Sequence, residues 1–153
     1  MRVFLTSSPA GNYFTSDGKR AACKLDESNA FVEELKKCWK ENARCLMISA
    51  APDEYEMNDS IRDIFLQAFP MSGLSVSEMM VWDHRNNEQE EDYLAQFDML
   101  LLSGGHVPTQ NAFFKEIELR DRIADYDGIV IGISAGTMNC ADLVYAMPEL
   151  EGE

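Results

Sequence analysis

Apolar positions along this chain alternate between two periodicities. Short runs rich in aliphatic and β-branched residues occupy 2–6, 44–50, 74–82, 98–103 and 128–133, and each reads as a strand. The third run is the most interrupted, by Ser75, Ser77 and Glu78. Between the runs the spacing becomes helical. Phe31, Leu35 and Cys38 form one stripe with Val32 and Trp39 beside it, which predicts a helix over about 28–41 capped by Ser28 or Asn29. After an acidic turn at 53–58, the residues Ile61, Ile64, Phe65, Ala68 and Phe69 predict a second helix ending near Pro70. The acidic stretch 86–92 opens a short helix through Leu94 and Phe97. Pro108 and Thr109 start a long one through Phe113, Phe114, Ile117 and Ile123. Residues 7–20 are dense in Gly, Pro, Asn and Ser and read as loop.

Strand and helix thus alternate five times, without a repeat, linker or low-complexity stretch. That order predicts an α/β fold in three α/β/α layers, with a mainly parallel sheet of about five strands and helices on both faces. At 153 residues it is one domain. Right-handed crossovers put the carboxyl ends of the strands on one edge, where ligand sites of open α/β sheets lie. Three loops are expected there: 7–12, 103–108 and 133–136.

Charge changes the picture by exclusion. A formal net charge of -14 opposes nucleic acid and anionic membrane as partners, since both repel such a surface. No apolar run has the length of a membrane span, and 1–6 is too short for the core of a signal peptide. Cys23, Cys38, Cys45 and Cys140 have no CxxC spacing, which fits reduced thiols in a cytoplasmic protein. The two histidines, His84 and His106, stand far apart in sequence, so neither a metal nor another cofactor is expected.

The chemistry is concentrated at 132–136. The apolar run ends abruptly at Ser134-Ala135-Gly136, after which the residues read as a helix. Gly132-x-Ser134-x-Gly136 is the pattern of a nucleophile elbow, which lifts a hydroxyl clear of the sheet and turns the next amide, that of Ala135, toward a developing oxyanion. A bare GxSxG arises by chance in roughly one chain in twenty of this length. The strand before it and the helix after it are what make the pattern informative.

Two stretches together carry a family resemblance. Leu101-Leu102-Ser103-Gly104-Gly105 after one strand and Gly132-Ile133-Ser134-Ala135-Gly136 after the next resemble the dipeptidase E and cyanophycinase family of serine peptidases. The resemblance in element order covers essentially the whole chain and implies the class I glutamine amidotransferase-like fold. It makes Ser134 the nucleophile and the amides of Gly105 and Ala135 the oxyanion hole. It also implies an acid and a histidine after the nucleophile. Here 19 residues follow Ser134, Glu149 or Glu151 falls where the acid could be, and no histidine lies beyond His106. The chain therefore reads as a family member lacking its C-terminal part, with little or no activity expected, because a serine without an imidazole base is a poor nucleophile.

Other readings stay open. A glutamine amidotransferase-like amide hydrolase would use a cysteine at the elbow, and Cys140 lies too far along the chain. A non-catalytic binding or assembly module would keep the fold without the chemistry. An α/β-hydrolase would need far more chain after the serine. His106 is a candidate substitute base. Arg85, Arg120 and Arg122 are candidate cations for an acidic substrate residue, each also readable as a surface charge. Loss of covering structure beyond the fifth strand would leave 128–133 at or near a sheet edge, which predicts a homodimer.

Overall fold

The computed structural model describes residues 1–148. Seven strands and five helices follow in chain order: β1 (Arg2–Thr6), β2 (Ala10–Phe14), β3 (Arg20–Leu25), α1 (Phe31–Lys36), β4 (Ala43–Ile48), α2 (Tyr55–Met71), β5 (Val76–Trp82), β6 (Met99–Leu102), α3 (Val107–Glu116), α4 (Leu119–Ala124), β7 (Ile129–Ile133) and α5 (Ala135–Met138). Five strands form one parallel sheet in the order β1-β7-β6-β4-β5. The fold is α/β, with helices covering both faces in three layers.

The layers follow from burial on alternate sides of the strands. Cys45, Met47, Leu101 and Ile131 face α1 and α2, packing on Leu35, Phe65 and Phe69. Leu46, Ile48, Leu100 and Val130 face the other way, onto Phe113, Phe114, Leu119 and Leu94. Every residue of β6 is buried, which is why central strands of a parallel sheet read as unbroken apolar runs.

Several expectations need correction. The stretch read as loop contains a hairpin, β2 paired antiparallel with β3, lying over α2. Its signal was hidden because Tyr13 and Phe14 are exposed and the turn is rich in small polar residues. The helix expected over 28–41 is one 3-10 turn at Ser28–Ala30 followed by the six residues of α1, entered through a left-handed Ala30 without a side-chain cap. The acidic turn at 53–58 already contains the first turn of α2, and the acidic stretch before Leu94 leads only into a 3-10 turn at Tyr93–Gln96. The long helix expected from Pro108 breaks into α3 and α4 at Glu118, whose φ is 52°.

The edge assignment also changes. β7 is not an edge strand: β1 pairs with it from Arg2 opposite Ile129 to Thr6 opposite Ile133, so its backbone is engaged on both sides. The edge is β1, where Val3 is 46% and Leu5 55% exposed. Sequence adjacency gave no hint that the first strand would close beside the last.

One close approach fixes the end of β7. A Cβ on Gly136 would stand 2.2 Å from the carbonyl oxygen of Leu102, so only glycine lets α5 settle onto β6. We expect Gly136→Ala to lower the unfolding free energy by about 2 kcal/mol, in the overpacking range, measured by chemical denaturation. Gly104→Ala, whose Cβ would meet neighbours at ordinary contact distances of 3.4–3.5 Å, should cost clearly less.

Candidate active site

Ser134 stands where β7 turns into α5, with φ 49° and ψ -107°. A non-glycine residue in this region stores on the order of 1–3 kcal/mol of strain, which persists only where the surroundings enforce it. The enforcement is visible. Ser134 N donates to Thr6 O at 2.9 Å, extending the β1 ladder one step beyond the strand. Thr137 Oγ1 donates to the same oxygen at 2.7 Å and accepts from Thr6 N at 3.0 Å. Thr6 Oγ1 donates to Gly132 O at 2.9 Å. A Cβ on Gly132 would come within 3.0 Å of Thr137 Cα and N, so the first glycine of the motif gives the returning chain its space. The two threonines, one at the end of β1 and one in α5, staple the turn shut, and the Ser134 side chain is left exposed at the carboxyl edge of the sheet.

The second motif arrives beside it. The position of a Cβ on Gly104 lies 3.5 Å from Ser134 Cβ, so the Gly104-Gly105 loop abuts the elbow. Gly105 is pressed from the other side: its Cβ would meet Ala50 Cβ at 2.7 Å. This loop sits between β4 and β6, the point at which the chain, having gone outward to β5, returns to the opposite side of β4. That is the crevice in which open α/β sheets place their ligands. The amide of Ala135 belongs to the first turn of α5, which has no acceptor within its own helix.

Below the loops runs a belt of buried polar side chains that the sequence did not announce. Arg85 donates to both carboxylate oxygens of buried Asp83 and to Asp59, and its guanidinium lies 5.0 Å over the Tyr55 ring. Burial opposes ionisation of Asp83, yet the bonds from Arg85 and Asn58 hold its carboxyl below the usual range. Asn58 reaches from Asp83 to Ser49, whose Oγ donates to Asn58 Oδ1 at 2.8 Å. Ser103 Oγ accepts from Ala50 N at 2.9 Å, and Gln110 Nε2 donates to Ser103 O at 2.7 Å.

The remaining candidates fall into place around this frame. His106 stands at the N-terminal boundary of α3, with Nδ1 2.7 Å from Thr109 Oγ1. His84 lies on the loop after β5, bracketed by Asp53 at 2.7 Å and Glu116 at 3.2 Å, with its ring edge-on to Phe113. Arg120 pairs with Asp142, and Arg122 donates to the carbonyls of Gln89 and Glu90 beside the Trp82 ring. All three arginines named as possible substrate cations are thus committed to protein partners. The four cysteines are free thiols, and Cys140 lies beyond the end of α5 with Sγ against Gly136 O, its thiol pushed up by burial. Glu149, the candidate acid, lies outside the described residues.

A groove of about 1230 Å³ opens at the opposite, amino edge of the sheet, lined by Lys40, Asp98, Asp121 and Asp127 among others. It contains neither motif. The chain matches no protein-family model, and no curated protein matches it. What the fold and the turn define is a class: a parallel α/β protein that presents a strained serine beside a glycine pair at its carboxyl edge. Among the described residues, no helix is long and apolar enough to cross a membrane.

The His84 cluster generates a prediction. The hydrogen bond to Asp53 first, against some desolvation, and then that to Glu116 raise its pKa above the ordinary 6.5. Its stabilising pairs are therefore complete below about pH 6.5 and are lost as pH climbs through the raised folded value. An NMR titration should place the His84 midpoint above 6.5, and Asp53→Asn should bring it down. A midpoint at or below that value in the unmodified protein would refute the pairing.

Proposed function

We propose that this protein is a serine-type hydrolase of small peptides, with Ser134 as nucleophile and the amides of Gly105 and Ala135 as oxyanion donors. The observation that carries the reading is the enforced backbone of Ser134, φ 49° and ψ -107°, exposed and abutted by Gly104. Strain held in place by four hydrogen bonds and two glycine contacts has no packing benefit, whereas an elbow needs it to present Oγ. In the reaction Oγ attacks the scissile carbonyl carbon while the carbonyl oxygen gains charge facing the two amides. Each such donor is worth roughly 3 kcal/mol in a dry site.

The resemblance to the dipeptidase E and cyanophycinase family supports the same assignment and gives the acid role to Glu149. The base is the weak point. Both histidines of the sequence precede Ser134; His106 bonds the Thr109 hydroxyl, and His84 is held by two carboxylates. Slow turnover by the 153-residue chain is the consequence. The reading needs no metal or organic cofactor, and four free thiols suit a cytoplasmic setting. The amidotransferase-like alternative is disfavoured because the thiol of Cys140 is not at the elbow.

An alkyl fluorophosphonate tests the nucleophile without requiring peptide turnover. The Oγ–P bond forms as the P–F bond breaks, fluoride leaves, and the hydroxyl proton passes to solvent or a base. Mass spectrometry should find a slowly formed adduct on Ser134 that is absent from Ser134→Ala. Labelling that survives Ser134→Ala would remove the assignment. Aspartyl dipeptides should be hydrolysed barely or not at all, whereas robust hydrolysis abolished by both Ser134→Ala and His106→Ala would make His106 the base.

A second reading, an assembly module, is favoured by one observation: the β1 edge with Val3 and Leu5 exposed. An unprotected apolar edge invites a second copy of the chain. Under this reading sedimentation at micromolar concentration gives a closed homodimer that Leu5→Lys dissociates.

A further inference from the structure

The two proposed oxyanion donors lie on different loops, so their spacing needs a device that spans both. We propose that Gln110 is that device, a positioning residue which, through Asn139, locks the Gly104-Gly105 loop to the Ser134 elbow. The inference rests on the serine-hydrolase reading for its purpose, but not for its geometry.

Gln110 is fully buried, one turn into α3. Its Nε2 donates to Ser103 O at 2.7 Å, the carbonyl immediately before the glycine pair. Its Oε1 accepts from Asn139 Nδ2 at 2.9 Å. The second hydrogen of that same nitrogen goes to Val107 O at 3.1 Å, and Asn139 Oδ1 accepts from Asn111 Nδ2 at 3.1 Å. Asn139 is in turn bound to the elbow helix, its backbone N donating to Ala135 O at 2.9 Å. One unbroken line of hydrogen bonds therefore runs from Ser103 through Gln110 and Asn139 to Ala135.

The direction of the line is fixed by chemistry. Ser103 O can only accept, so the Gln110 amide must present nitrogen to it and oxygen to Asn139; a flipped amide would set two oxygens together. Asn139 must then present its nitrogen. The far side of Ser103 is held as well, by Ala50 N on its Oγ and by Ala50 Cβ against Gly105. The glycine loop is thus clamped between β4 and α3, and Gln110, which bonds both the Ser103 carbonyl and Asn139, joins that clamp to the elbow helix. An apolar side chain of the same shape would fill the space, strand the Ser103 carbonyl and disconnect the loops.

Amide NMR of the full chain is the test. In Gln110→Met the backbone amides of Gly105 and Ala135 should both shift, while those of Met47 and Met79 stay in place. Phosphonylation of Ser134 should slow on the order of 10- to 100-fold, the cost of a small misplacement of reacting groups. Gln110→Glu should recover the unmodified spectrum when its carboxyl is protonated and can donate to Ser103 O, and lose it on ionisation. A merely space-filling role has no such pH profile. If Gln110→Met does not fold, Asn139→Ala asks the same question from the other end, and the Gly105 amide should move. An Ala135 amide unmoved in Gln110→Met, or a Gly105 amide unmoved in Asn139→Ala, overturns the coupling. Absence of any Ser134 adduct on the unmodified protein would instead count against the hydrolase reading, and the amide shifts would still decide the role of Gln110.

Discussion

The rest of the site depends on the seat of Gly136 on the carbonyl of Leu102. With no Cβ to keep them apart, the first turn of α5 lies directly against β6. That contact forces β7 to reverse direction within a single residue, and the strain falls on Ser134. Thr6 of the neighbouring β1 then holds the reversal by its bonds to Thr137 of α5, so the elbow is supported by β1, β6 and β7 together. Because the Gly136 seat is on the main chain of Leu102, side-chain rearrangement cannot relax it.

The same economy governs the loop beside it. Gly105 is small because Ala50 occupies the space on one side, and Ser103 is buried because both its oxygens are bonded. Buried polar groups are costly when unpaired, and those along the carboxyl edge, from Asp83 through Asn58 and Ser49 to Ser103 and Gln110, are joined to one another or to backbone. Such a belt makes the edge rigid where an apolar layer would leave the loops free to slide. Rigid spacing is what an oxyanion site requires, since its donors act by being in place before charge develops. The groove at the opposite edge is lined by Lys40 and Cys38 as well as by acidic residues, and neither glycine motif borders it.

How legible was this from the sequence? The five sheet strands were: burial on two faces leaves the central ones an uninterrupted apolar run, as in Met99–Leu102 and Ile129–Ile133, while the edge strands β1 and β5 keep enough apolar residues to be read despite exposed positions. The elbow was legible for a different reason: its glycines and serine are imposed by local backbone geometry, which spacing records directly. The hairpin of β2 and β3 was not, because its aromatics face outward and its turn residues look like any loop. The break between α3 and α4 was hidden in the same way, since Glu118 in a left-handed conformation leaves the apolar period on either side intact.

By itself, then, the sequence determined the class of sheet, the motif and the residue that the motif exposes, all of which depend on neighbours within a few positions. Only the tertiary structure decided that β1 lies beside β7, so that Thr6 can brace a turn 128 residues further along. It also decided the meaning of polar residues. Gln110, Asn139, Asn58 and Asp83 look like solvent-facing positions when read one by one. Three of them are buried and the fourth is half-buried, because their partners come from other strands and helices. A polar side chain declares its burial only through the group it bonds, and those groups are brought together by folding, not by adjacency in the chain.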